Sequence, residues 1–301
     1  RELIPVRPAP HYSRGGIRTD YRGERPQLKG LWAAGESACW DMHGVNRLGG
    51  NSVAETVVAG MIVGETMADF CEAPENSLQL STALVESAGA RERDKLREIT
   101  ESTGRENAFE LTRLMQETMT DKVGIFRNGE RLQQAVDTLQ ELQQRSRNIG
   151  LKNAAPGANP ELVAAYRLQR MLKLAQCVAY GALRREESRG AHFRADFPQR
   201  NDRDWMRRTL ATWPDEASSL PQLDYEELDV MRMEMPPGWR GYGARDYIEH
   251  PDSDKRQQQI DASLDGMADM DRHARQDILM PFRHLLPEHL RANNRRSGDP
   301  T

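Results

Sequence analysis

Met42-His43-Gly44-Val45-Asn46-Arg47-Leu48-Gly49-Gly50-Asn51-Ser52-Val53 sets an arginine among glycines, immediately before the apparent start of a helix. Arg47 offers a planar fork that fits a carboxylate. The free N–H groups of a helix start face whatever lies in front of them, so the stretch can bind two anions at once. Gly49 and Gly50 let the backbone approach a flat ligand closely. Upstream lies His11-Tyr12-Ser13-Arg14-Gly15-Gly16, where His11 is a candidate carboxylate donor. Between the two clusters, Gly30-Leu31-Trp32-Ala33-Ala34-Gly35-Glu36 reads as a buried strand ending in an acid that can accept hydrogen bonds from ligand hydroxyls.

The 301 residues are enough for two domains and a sizeable core. A net charge of −4 and a pI near 6.1 give no global attraction to nucleic acid or anionic membrane. Cys39, Cys71 and Cys177 are widely spaced and form no C-x-x-C pair, so no zinc site or disulfide framework is indicated. Mean hydropathy is −0.77, and the most apolar segment, residues 52–70, is interrupted by Glu55, Glu65 and Asp69, which argues against a membrane span. The chain opens Arg1-Glu2-Leu3-Ile4-Pro5-Val6 without an initiating Met, and it is expected to be the C-terminal part of something longer.

Pro5, Pro8 and Pro10 restrict the first 20 residues to loop and short strand. Residues 52–70 are expected to form a helix opened by a capping box, Ser52-x-x-Glu55, with Gly60 and Gly64 permitting close packing. A polar break at residues 74–80 precedes a helical region. Leu111, Leu114, Met115 and Thr118 share one face, and Leu132, Ala135, Val136, Leu139 and Leu142 keep the 3-4 spacing in the next helix. Asn159-Pro160-Glu161 starts a third, whose apolar face is expected to hold Leu162, Tyr166, Met171, Leu174, Ala175, Val178, Ala182 and Leu183, with a stop at Gly190. The charged string from Arg184 to His192 reads as a solvated helix end. Residues 225–235 are strand-like in part, up to Pro236-Pro237-Gly238, one or two helices return over about 256–291, and the basic tail (Arg283, Arg291, Arg295, Arg296) reads as solvated.

The fold class these patterns predict is α+β. A partial cofactor-binding α/β segment is followed by an antiparallel three-helix bundle and a small mixed C-terminal region with terminal helices. The boundaries expected are 1–20 for the end of a capping domain, 21–78 for the cofactor-binding segment, 79–205 for the helical bundle and 206–301 for the C-terminal region.

Three motifs, His11-Tyr12-Ser13-Arg14-Gly15-Gly16-Ile17, Gly30-Leu31-Trp32-Ala33-Ala34-Gly35-Glu36 and His43-Gly44-Val45-Asn46-Arg47-Leu48-Gly49-Gly50-Asn51-Ser52, resemble the flavoprotein subunit of fumarate reductase and succinate dehydrogenase. The similarity continues through Glu187-Ser188-Arg189-Gly190-Ala191-His192 and Asp204-Trp205-Met206-Arg207-Arg208-Thr209-Leu210. The resemblance implies FAD as cofactor and a dicarboxylate substrate, fumarate or succinate. It implies that His11 and Arg47 bind the substrate carboxylates, that Glu36 contacts the FAD ribityl chain, and that Gly49, Gly50, Asn51 and Ser52 lie beside the flavin ring, with His43 in a supporting role. It also implies an iron–sulfur subunit and membrane quinone-binding subunits as partners, with the flavoprotein peripheral on the cytoplasmic face of the cell membrane. The family's dinucleotide fingerprint, its FAD-linking histidine and its proton-donor arginine are expected upstream of Arg1, so no catalytic residue is located here. Position 14 is Arg where the family usually has a small or apolar residue. Residues 235–243 look most like menaquinol-linked bacterial fumarate reductases.

Two other functions stay open at this level. L-Aspartate oxidase shares the early motifs, although the Trp205-centred stretch argues against it. The chain taken alone could instead be a non-catalytic module that docks a partner subunit.

Overall fold

The computed structural model describes residues 12–13, 15–76, 81–155, 157–215 and 218–229, with a few single residues (252, 254, 255, 258, 259 and 262) beyond. In chain order these form β1 (Ile17–Arg18), β2 (Ala38–Cys39), α1 (Asn51–Glu72), α2 (Thr82–Glu101), α3 (Ala108–Lys122), α4 (Gly129–Ser146), α5 (Pro160–Arg184), α6 (Asp202–Trp205), β3 (Arg207–Thr212) and β4 (Gln222–Glu227). The molecule is therefore helix-rich with two small sheets. It divides into a larger unit, residues 1–200 and 211–223, and a smaller one, residues 201–210 and 224–301.

In the larger unit α3, α4 and α5 share one apolar core. Leu111, Leu132, Leu139, Leu168 and Leu172 are fully buried within it. Each helix is started by an asparagine whose side chain accepts backbone N–H groups of the first turn. Asn107 accepts from Phe109 and Glu110, Asn128 from Arg131, and Asn159 from Glu161 and Leu162. Pro160 stands at the head of α5, where its missing N–H costs nothing.

Several expectations need correction. The core face of α5 is Ala165, Leu168, Leu172, Ala175, Gln176, Ala179 and Ala182, whereas Leu174 and Val178 are 68% and 51% exposed. The expected set mixed two neighbouring faces, because α5 carries apolar residues around much of its circumference. α5 also ends at Arg184 and not at Gly190, since the buried Arg194 guanidinium donates to the carbonyls of Ala182, Leu183 and Arg185. Helix α2 lacked an apolar signal. It has no buried residue and leans on α5 through Glu92, which accepts from the Tyr166 hydroxyl and pairs Arg170.

Helix α1 begins two residues earlier than the capping box requires. Its N-cap is Gly50, in a left-handed conformation (φ +83°) with no side-chain cap, so Ser52 lies inside the first turn. Glu55 is turned inward instead of back to the helix start. Gly60 and Gly64 are exposed and meet no neighbour among the described residues. The run 31–34 is not a strand either. Only Trp32 makes an isolated bridge, to Glu24, and the chain then passes through a 3-10 turn, Gly35–Ser37, into β2. β2 pairs in parallel with β1, Ile17 opposite Ala38 and Arg18 opposite Cys39.

In the smaller unit the Trp205 and Tyr225 rings meet edge to face, with the Arg207 guanidinium 4.7 Å and 4.2 Å from their centroids. The strand expected over 225–235 is β4, which begins earlier and ends at Glu227. Residues 230–251 and nearly all of the expected 256–291 helices, with the basic tail, lie outside the described residues.

Candidate functional site

β1, β2 and the head of α1 bring the sequence-marked residues into one region of the larger unit. Glu36 lies exposed in the 3-10 turn, and its Oε1 accepts the backbone N–H of Ser13 at 2.7 Å. The loop between β2 and α1 carries His43 and Arg47 and reverses at Asp41 and Gly44, both with positive φ. Its outer edge is held by Ala191, whose N–H donates to the Val45 carbonyl at 3.0 Å. His11 and Arg14 lie outside the described residues.

Arg47 is half-buried. Its Nη1 donates to the Leu48 carbonyl at 3.0 Å, its guanidinium carbon lies 5.0 Å from the centre of the Tyr12 ring, and its buried Nε has no partner. Among the described residues no carboxylate forms an ion pair with it. Its positive charge is therefore held in place without being neutralised by any described carboxylate. Gly44, Gly49 and Gly50 leave open space where a Cβ would stand, so a ligand can approach the head of α1 directly. Asn51 and Ser52 are half-buried in the first turn.

Behind Arg47 is a cluster that the motifs did not reveal. Glu55 is 1% exposed; its Oε2 accepts the Tyr12 hydroxyl at 3.0 Å and its Oε1 the Trp40 indole N–H at 3.2 Å. His43 Nε2 stands 3.8 Å from the same carboxylate, and the Tyr12 and His43 rings meet edge to face. Burial, and then the bond to Glu55, push the Tyr12 hydroxyl up to about 12. One signal could have found this cluster. Glu55, Ala59 and Val63 fall at i, i+4 and i+8, which places an acid on the buried stripe of α1.

The string 184–192 is not a solvated helix end. Glu187 is fully buried and pairs Arg185 at 2.7 Å and Arg189 at 2.8 Å. His192 accepts from Arg127 at Nδ1 (2.9 Å) and donates to the Arg185 carbonyl from Nε2 (3.2 Å), and burial beside Arg127 lowers its pKa to about 4. No group of three or more metal-ligating side chains occurs among the described residues, and no described helix is long and apolar enough to cross a membrane.

The FAD binding domain model matches residues 1–53, a stretch that takes in the arginine loop and the glycine-opened head of α1, and this makes the chain an FAD-binding protein by class. A second model, described as the C-terminal part of fumarate reductase flavoprotein, matches residues 112–242. The fumarate reductase flavoprotein subunit of Helicobacter pylori is 47% identical over 299 residues, which is 98% of this chain and 41% of that protein. The succinate dehydrogenase flavoprotein subunit of Bacillus subtilis is 35% identical over 75% of this chain and 38% of its own length. FrdA of Escherichia coli quinol fumarate reductase superposes with a TM-score of 0.73 at 35% identity, over 81% of this chain and 40% of that one. The chain belongs to the fumarate reductase and succinate dehydrogenase flavoprotein family, whose cofactor is FAD. It spans about 41% of the length of curated relatives that it matches.

The residues present fit one edge of that cofactor. Among the described residues the buried Arg47 Nε has no partner, the head of α1 has no side-chain cap, and Gly44, Gly49 and Gly50 leave open space beside it.

Proposed function

We propose that this chain forms the dicarboxylate-facing wall of an FAD enzyme that interconverts fumarate and succinate. The observation that carries the proposal is Arg47: a half-buried guanidinium held on the face of Tyr12, with no carboxylate partner and an unsatisfied Nε among the described residues. A guanidinium in that state binds a carboxylate through charge-assisted bonds, and with His11 it would clamp both ends of a dicarboxylate and orient its central carbons. The cation would also stabilise charge that develops on the substrate in the transition state.

Bound FAD would supply the hydride chemistry. Gly49, Gly50, Asn51 and Ser52 would lie against the flavin ring, where the positive end of the α1 dipole favours a reduced, anionic ring edge. Glu36 would contact the ribityl chain. An iron–sulfur subunit and membrane quinone-binding subunits would complete the electron path, with the flavoprotein peripheral on the cytoplasmic face of the membrane. Support for these partners comes from the solved quinol fumarate reductases that the chain resembles. The helices α3, α4 and α5 would then form an antiparallel bundle flanking this wall.

The test is steady-state turnover of the intact, FAD-loaded flavoprotein, with a reduced artificial dye as electron donor. Fumarate-dependent dye oxidation is expected, with no hydrogen peroxide formed from L-aspartate and oxygen. Aspartate oxidation without fumarate turnover would contradict the proposal.

A further inference from the structure

Resting on the assignment of Arg47 to a substrate carboxylate, we infer that Tyr12, fixed by the buried Glu55, is a positioning residue that holds the Arg47 guanidinium ready for the substrate. An arginine that must bind an anion needs support that does not cancel its charge. A neighbouring carboxylate would fix it but would compete with the incoming dicarboxylate. An aromatic face attracts the cation through its quadrupole and leaves the charge and the N–H fork free. In the structure the guanidinium carbon lies 5.0 Å from the Tyr12 ring centre, and among the described residues the fork makes one bond, to the Leu48 carbonyl.

The ring is itself fixed from behind. Tyr12 donates its hydroxyl to Glu55 at 3.0 Å, and Glu55 is anchored on α1 and further held by the Trp40 indole N–H at 3.2 Å. A buried carboxylate needs such donors, because leaving one unsatisfied is costly. The phenol keeps its proton across the working pH range, since burial and the Glu55 bond push it up to about 12. Donation to a carboxylate also makes the ring more electron-rich, which strengthens its hold on the cation. The negative charge thus lies one residue behind the arginine and acts on it through a neutral ring.

The experiment uses the intact, FAD-loaded flavoprotein and compares Tyr12→Leu, Tyr12→Phe and Arg47→Ala. It measures kcat and KM for fumarate, and the Kd of malonate, a non-reacting dicarboxylate, from the change in flavin absorbance. Tyr12→Leu removes the face and is expected to raise fumarate KM and malonate Kd about tenfold, with a smaller fall in kcat. Tyr12→Phe keeps the face and loses the Glu55 bond, so it is expected to recover most of that loss, remaining about threefold weaker than wild type. Malonate binding within twofold of wild type in both Tyr12 variants overturns the inference, as does a loss confined to kcat. If the Leu variant does not retain FAD, the Phe variant decides, and an unshifted KM there overturns the inference. Unchanged malonate binding in Arg47→Ala would remove the underlying assignment, a result distinct from failure in the Tyr12 variants alone.

Discussion

Arg194 shows how a charged side chain can finish a helix. It is 2% exposed, its Nη1 reaches three carbonyls at the end of α5, and its other two nitrogens grip Asp196 at 2.8 Å. Those carbonyls have no intrahelical partner, so the arginine satisfies them where a glycine turn would otherwise be needed. The bond to Arg194 holds Asp196 well below the usual carboxylate range, at about 2. His192, close by, is lowered to about 4 by burial and by Arg127. A base whose folded pKa is depressed binds fewer protons than the unfolded chain between about pH 4 and 6.5. Its contribution to stability is therefore complete above pH 6.5 and is lost as the pH falls through that window. Urea unfolding should accordingly show a loss on the order of 2 kcal/mol from pH 7 to pH 5 that His192→Asn abolishes; parallel pH dependences would contradict it. Composition alone describes the segment 184–192 as a solvated run. Nothing in the order of its charges reveals that Glu187 is the buried centre, because the donors that satisfy it are fixed by the loop's return path.

At the scale of elements, helix existence followed from 3-4 periodicity and, for α5, from the Asn159-Pro160 start, and α3 and α4 formed with the expected residues inward. The orientation of α5 was less legible, because its apolar residues cover two faces and only contact with α3 and α4 selects one. A pair of substitutions tests that selection. Leu172→Ala, at a fully buried position of α5, should cost about 2–5 kcal/mol in denaturant unfolding. Leu174→Ala, at a position 68% exposed, should stay within about 0.5 kcal/mol. Equal losses would mean that the core face of α5 is misassigned. The head of α1 carries the opposite lesson: Ser52 and Glu55 match a capping box in sequence, yet the demand of Tyr12 and Trp40 for a buried acceptor turned Glu55 inward.

At the scale of the molecule, the arginine loop and the segment after α5 are tied together within the larger unit. Gly190 has φ +57°, and a Cβ there would lie 2.5 Å from the Val45 carbonyl oxygen. Gly190→Ala should therefore displace the loop and raise the fumarate KM several-fold while FAD stays bound; an unchanged KM would show that the tie does not position Arg47. Family membership and the cofactor class were legible from motifs because the residues that carry the resemblance run contiguously along the chain. The Tyr12–Glu55 support was not, because it joins residues 43 positions apart that meet only when α1 packs. The central claim is that Arg47 holds the substrate, and single-turnover reoxidation of the reduced flavin by fumarate tests it most directly. Arg47→Ala should slow that step at least about a thousandfold while the flavin remains bound and reducible. Reoxidation at near wild-type rate would contradict the account.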